Sequence, residues 1–82
     1  MEPIKVYIDV TAEFSSDGKI IPLSFVWDDG RVYAIDRVVD IRPAASLKAG
    51  GFGLRYTIKV CGKESYMWLE NGGTRWFMER KK

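Results

Sequence analysis

The chain has no histidine, one cysteine and three prolines in 82 residues, and each scarcity closes off a chemistry. Without histidine there is no Ser-His-Asp or Cys-His arrangement, no imidazole proton shuttle and no His-based metal site. Cys61 has no second thiol to pair with inside the chain. Lacking His and with scattered acids, the chain has no ligand set for a structural zinc either. Apolar runs are only a few residues long, far short of the roughly twenty needed to span a bilayer. The opening Met1-Glu2-Pro3-Ile4-Lys5 lacks the basic-then-apolar form of a signal peptide. The expectation is a cytoplasmic protein with no membrane segment, no cofactor and no metal.

What is present suits one packed domain over residues 1–82. Hydrophobic residues make up 46%, aromatics 13% and charged residues 29%, too rich in rings for a disordered chain. A domain of this size buries only about 60–65% of its unfolded surface, so the core is thin. Stability then comes from that core, from strand pairing or from a partner subunit. Charge is divided along the chain. Residues 1–41 hold four Lys and Arg against eight Asp and Glu, net −4, and residues 42–82 hold nine against three, net +6. Either the two halves attract each other, or the basic half faces an anionic partner.

Alternation governs the pattern. Ile4, Val6, Ile8, Val10, Ala12 and Phe14 alternate with Lys5, Tyr7, Asp9, Thr11 and Glu13, the mark of a strand with one buried and one wet face. Ser15-Ser16-Asp17-Gly18 reads as a turn. A second strand over about 20–28 has Ile21, Leu23, Phe25 and Trp27 as its apolar side, with Pro22 at an edge or a strand start. Asp29-Gly30 predicts a two-residue type I′ hairpin, which places Val32 and Ala34 inward opposite Trp27 and Phe25. The third strand, about 31–42, changes parity before Val39 and Ile41, so a bulge is expected near Asp36-Arg37. Residues 43–51 are the only helix-friendly stretch, with room for two turns at most, and also read as a loop.

Three more strands follow as a meander. Gly62-Lys63 suits a II′ turn, placing Ile58 opposite Met67 and Tyr56 opposite Leu69. Gly72-Gly73 as the next turn centre sets Leu69 against Trp76 and Met67 against Met78. With Leu54, Tyr56, Ile58, Met67, Leu69, Trp76 and Met78 inward, the other face carries Arg55, Thr57, Lys59, Tyr66, Trp68, Glu70, Arg75, Phe77 and Glu79. Aromatics interleaved with Arg and Lys form a candidate binding surface: Arg55, Lys59, Tyr66, Trp68, Arg75 and Phe77. Bases stack on free rings while cations meet phosphates, and a protein partner or a second copy uses the same residue types. Equally, Trp68 and Phe77 form a second small core if another segment covers them.

No catalytic constellation is apparent. Asp36 and Asp40 stand about 13 Å apart on one strand, too far to share a proton. Gly50-Gly51-Phe52-Gly53 lacks the strand-to-helix context and the Lys-Ser/Thr of a phosphate loop. Cys61 beside a turn is reachable but has no evident activating base.

The residues Pro22-Leu-Ser-Phe25-Val-Trp27, Arg31-Val-Tyr33, Arg37-Val38, Arg55-Tyr56 and Trp76-Phe77-Met-Glu79-Arg80 resemble a small bacterial all-β domain family of unknown function, over about residues 22–80. The resemblance implies a role near DNA, because some relatives accompany translesion-polymerase-like proteins, but it transfers no site. The Ala/Gly segment at 43–53 departs from that pattern.

The reading is an all-β fold: about six antiparallel strands in a small barrel or roll, OB-like or SH3-like, with at most one short helix near 43–49. The function expected first is a non-catalytic protein-interaction or self-association module, with a homodimer among its forms. The alternative is a nucleic-acid-binding accessory domain for single strands.

Overall fold

A computed structural model describes residues 3–45, 52–70, 72 and 75–81. It is all-β. The strands are β1 (Pro3–Phe14), β2 (Ile20–Val26), β3 (Val32–Ala34), β4 (Arg37–Ala45), β5 (Phe52–Val60), β6 (Lys63–Glu70) and β7 (Trp76–Lys81). They form one antiparallel sheet in the order β3-β2-β1-β7-β6-β5-β4. The two edge strands, β3 and β4, are consecutive in the chain and separated only by Ile35 and Asp36. At that corner the Ile35 N–H donates to the Leu23 carbonyl of β2, and the Asp36 N–H donates to the Lys59 carbonyl of β5. One continuous segment therefore touches both ends of the sheet and rolls it up, although the roll is not closed by a β3–β4 ladder.

The long alternating segment is one strand with two partners, and its pattern holds except at Phe14, expected on the buried side and exposed at the open edge. Pro3–Ile8 pair with β7, and Asp9–Phe14 pair with β2. The core lies inside the roll. Phe25, Tyr56, Ile58, Met67, Leu69 and Met78 are its buried members, with Ile8, Val10, Ile20, Val38, Ile41 and Trp76 packed around them. The Tyr56 hydroxyl, buried with its ring, donates to the Ile20 carbonyl at 2.7 Å, so this polar atom is satisfied inside the core. Gly53 is required by close approach: a Cβ there would lie 2.0 Å from the Leu69 carbonyl oxygen of β6.

Several expectations are corrected. The Asp29-Gly30 hairpin is not a two-residue I′ turn. Trp27 N–H donates to the Arg31 carbonyl and Gly30 N–H to the Trp27 carbonyl, which makes a three-residue loop with Gly30 at φ +86°. That loop needs one left-handed residue and glycine takes it, whereas I′ would force Asp29 there as well. The register moves by one, so Tyr33 stacks on Phe25 while Val32 is exposed. Ser15–Lys19 repeats the same bonds with Gly18 at φ +89°. The I′ geometry belongs instead to Cys61-Gly62, both at positive φ (52° and 78°). Its centre is one residue earlier than Gly62-Lys63, so Tyr56 faces Met67 and Leu54 faces Leu69. That shift moves partners by two residues and leaves the faces unchanged. The Leu69–Trp76 pairing is as expected.

In β2 the apolar side is Ile20, Pro22 and Phe25. Leu23 is the extra residue of a bulge opposite Thr11/Ala12 and is exposed. The proline is tolerated because β3 covers only Ser24–Val26. The parity change in the 31–42 segment comes from two devices: the break at Ile35-Asp36 and a bulge at Val39. Val38 and Ile41 are the inward pair, and Val39 is exposed. That segment is two strands, which raises the count to seven. Pro43–Ala45 belong to β4 and not to a helix, and residues 46–51 lie outside the described residues.

Candidate functional site

On the outer face the registers align one row across five strands: Arg42 of β4, Arg55 of β5, Trp68 of β6, Phe77 of β7 and Tyr7 of β1. Each is directly opposite the next. The row exists because the pairings from β4 through β7 keep these residues in register on one face, and because β7 pairs with the start of the chain. Sequence patterning finds the middle of this row and misses its ends. Tyr7 and Lys5 sit on the wet face of their own strand, but no local signal pairs residues 3–8 with 76–81.

The centre of the row is not a surface. Trp68 is 4% exposed and Phe77 0%. Their rings stack 5.4 Å apart and 2° from parallel, an arrangement that contributes about 0.5–1.5 kcal/mol beyond burial. Tyr7 meets Phe77 edge-on, and Tyr66 meets Trp68 edge-on. Cations lie over the rings: Lys5 4.6 Å from the Phe77 centroid, Arg55 4.6 Å from Tyr66, and Arg75 3.6 Å from Tyr7. Each such contact contributes about 0.5–1 kcal/mol where water is near.

Of the six residues expected to form a binding surface, Trp68 and Phe77 are therefore removed. They are a second small core, and their faces are not available for stacking. Tyr66, at 49% exposed, and Arg75 remain at the surface. Arg55 is half-buried against Tyr66. Lys59 is half-buried farther along β5, opposite Arg37 and Glu64.

The acids of this face are held by partners. Glu70 accepts the Tyr7 hydroxyl at 2.6 Å and lies 3.7 Å from Lys5. The Tyr7 hydrogen bond, with Arg75 and Lys5 nearby, keeps its carboxyl below the ordinary glutamate range. Asp40 takes the Arg42 Nε at 2.7 Å and is held low mainly by that bond. Two donors are left over. Arg55 Nε and Trp68 Nε1 are shielded from solvent and have no hydrogen-bond partner among the described residues. A buried donor left in that state costs about 1–3 kcal/mol.

A second feature lies at an edge of the sheet. Beyond Ile8, β1 leaves β7, and no described strand pairs with that side of Asp9–Phe14. A cleft of about 580 Å³ opens there, lined by Ile8, Val10, Ala12, Phe14, Leu69 and Trp76, with Tyr7 and Arg75 at its rim. Phe14 is 76% exposed. The opposite opening, beside Pro3–Ile8, is spanned by an Arg80–Asp28 ion pair at 3.2 Å. A smaller cleft of about 350 Å³ lies between Phe25, Trp27, Tyr33 and Met78, with the exposed Cys61 at its rim.

Among the described residues no three His, Cys, Asp or Glu side chains gather as a metal site, and no helix is long and apolar enough to cross a membrane. Set against protein-family models, curated proteins and solved structures, the chain matches none.

Proposed function

We propose that the chain is a non-catalytic interaction module that associates with a second copy of itself through the open edge of β1. The observation that carries this reading is the Asp9–Phe14 edge, which no described strand pairs, with an exposed phenylalanine at its end. An unpaired strand edge is a template for another strand.

The other long edge is more heavily guarded than this one. β4 carries a bulge at Val39, a proline at 43, and Arg37, Asp40 and Arg42 along nine residues. Those are the devices that keep edges from pairing. The Asp9–Phe14 edge carries Asp9 and Glu13 but no proline, and the bulge near it lies in β2. It is also self-complementary. A two-fold axis through Ala12 places Val10 opposite the partner copy's phenylalanine at position 14 and lets that ring enter the cleft over Leu69 and Trp76. The same contact repeats in reverse, as an isologous dimer requires.

The nucleic-acid reading rested on free rings. With Trp68 and Phe77 buried, Tyr66 is the one expected ring left exposed among the described residues, so the edge is the better supported surface.

Sedimentation velocity from micromolar to millimolar concentration tests this. The expected result is a monomer–dimer equilibrium that Phe14→Asp abolishes and Val39→Asp, on the guarded edge, leaves intact. A protein that stays monomeric throughout, or a dimer indifferent to Phe14→Asp, overturns the proposal.

A further inference from the structure

Arg42 and Arg55 are directly opposite each other on β4 and β5, a like-charge pair that is unfavourable by itself. Asp40 relieves Arg42 through its hydrogen bond. On the other side of Arg55, directly opposite on β6, stands Trp68. The two neighbours carry the two unsatisfied donors of this face: the charged Nε–H of Arg55 and the indole N–H of Trp68, whose residue is 96% buried by its 4% exposure. Of the acids nearest in the rows, Asp40 accepts from Arg42 Nε and Glu70 from the Tyr7 hydroxyl with Lys5 beside it; Asp40 also feels the Arg55 charge, with no described hydrogen bond to the Arg55 Nε–H. Two N–H donors without acceptors, one of them cationic, define the complement of an oxyanion.

We infer that Arg55 and Trp68 form a binding site for an oxyanion group, a carboxylate or a phosphate, with Tyr66 as its movable cover. Tyr66 touches both donor residues. The Arg55 guanidinium lies over its ring at 4.6 Å, and its ring meets Trp68 edge-on at 6.2 Å. It is also the most exposed member of the group at 49%. Both donor atoms are shielded in the absence of ligand, so the anion enters as Tyr66 rotates outward. Each donor then gains the acceptor that the described residues do not supply. The site lies on the outer face, away from the β1 edge, and does not depend on self-association.

The chain carries its own controls. Its three tryptophans, Trp27, Trp68 and Trp76, give three indole N–H resonances in a proton–nitrogen correlation spectrum. Acetate and inorganic phosphate are added in separate titrations at constant ionic strength. The expected result is a saturable shift of the Trp68 indole and of the Arg55 Nε–H along one binding curve, with Trp27 and Trp76 still. The acetate and phosphate arms show which anion binds more tightly. Arg55→Lys, which keeps the charge and removes the Nε donor, should weaken the Trp68 response at least tenfold. Tyr66→Ala should strengthen it by uncovering the donors, and this variant keeps the test alive if Arg55→Lys fails to fold. No shift in either titration overturns the site. So does an equal drift of all three indoles, or a Trp68 response unchanged in Arg55→Lys.

Discussion

Inside the roll, Tyr56, Ile58 and Met67 are covered by strands from the other half of the sheet. On the outside, Trp68 and Phe77 are equally withdrawn from water, yet the described side chains against them are Tyr7, Tyr66 and Lys5. The first layer is shielded by apolar surface and the second by rings with polar ends and by an alkyl stem that carries a charge. Long cationic side chains cover apolar surface while their heads stay wet. Among the described residues, rings and an alkyl stem stand over the outer face where strands stand over the inner one. The outer layer then owes part of its stability to a carboxylate, Glu70, whereas the titratable group of the inner layer is the buried Tyr56 phenol.

If the outer stack is core, Phe77→Ala should cost about 3–5 kcal/mol, as much as Ile58→Ala in the inner layer at about 2–5 kcal/mol. Denaturant unfolding compares the two directly. Should Phe77→Ala prove too unstable to study, Phe77→Leu serves, at about 1–2 kcal/mol. A cost near that of a surface substitution, within about 0.5 kcal/mol, would show that the two faces are not alike.

Gly53→Ala is next in size. The new methyl would run into the Leu69 carbonyl, so β5 and β6 must part beside Arg55 and Trp68. About 1–3 kcal/mol should be lost, as for other overpacked sites. Because both faces share this pair of strands, signals from Ile58 and from Trp68 should shift together in its spectrum. Movement on one face alone would mean that the layers respond separately.

Cys61→Asn has the opposite sign. Cys61 holds a left-handed conformation at φ +52°, and Asn tolerates that region better. Asn-Gly is also the favoured I′ pair. A gain of about 0.5–1 kcal/mol is expected. The gain would support the Cys61-Gly62 turn centre, on which the Arg55–Trp68 and Tyr56–Met67 pairings rest.

How far the molecule is legible in its residues follows from the same turns. Period-two patterning finds β1, β2 and the final meander, because burial of one face is written residue by residue. The face assignment of β5, β6 and β7 survives although the turn at Cys61-Gly62 is misplaced by one residue, since partners slip in steps of two and side chains keep their sides. The Asp29-Gly30 turn is less forgiving: a third loop residue moves the pairing by one and exchanges Tyr33 with Val32. Bulges at Leu23 and Val39 are invisible for a related reason. They answer to the curvature of the whole roll, and Leu and Val carry no local mark of being the extra residue. Of the candidate surface, the composition of the row is readable from the meander. Its extension to Arg42 and Tyr7 is not, because those contacts join distant parts of the chain. Nor is the burial of Trp68 and Phe77, because alternation says which side a ring is on and not what lies over it.

The smallest effect separates the layers most cleanly, because among the described residues the outer one has a carboxylate in its cover and the inner one has the Tyr56 phenol. Glu70 is held below the ordinary glutamate value first by the Tyr7 hydroxyl, then by Arg75 and Lys5. Its carboxylate therefore favours the folded chain fully above the unfolded glutamate value. That contribution disappears as pH falls through the lower, folded value. Tyr7→Phe removes the leading cause and leaves the ring on Phe77 in place, so the Glu70 midpoint should rise toward the ordinary value while the stack persists. Carbon-detected titration of the side-chain carboxyl reads this directly. Tyr56→Phe removes a phenol from the inner layer, where the hydroxyl meets the Ile20 carbonyl and no carboxylate, and should leave the Glu70 midpoint where it was. If both variants move it, the layers are coupled through the sheet. If neither does, the Tyr7–Glu70 bond does not hold the cover of Phe77 in solution.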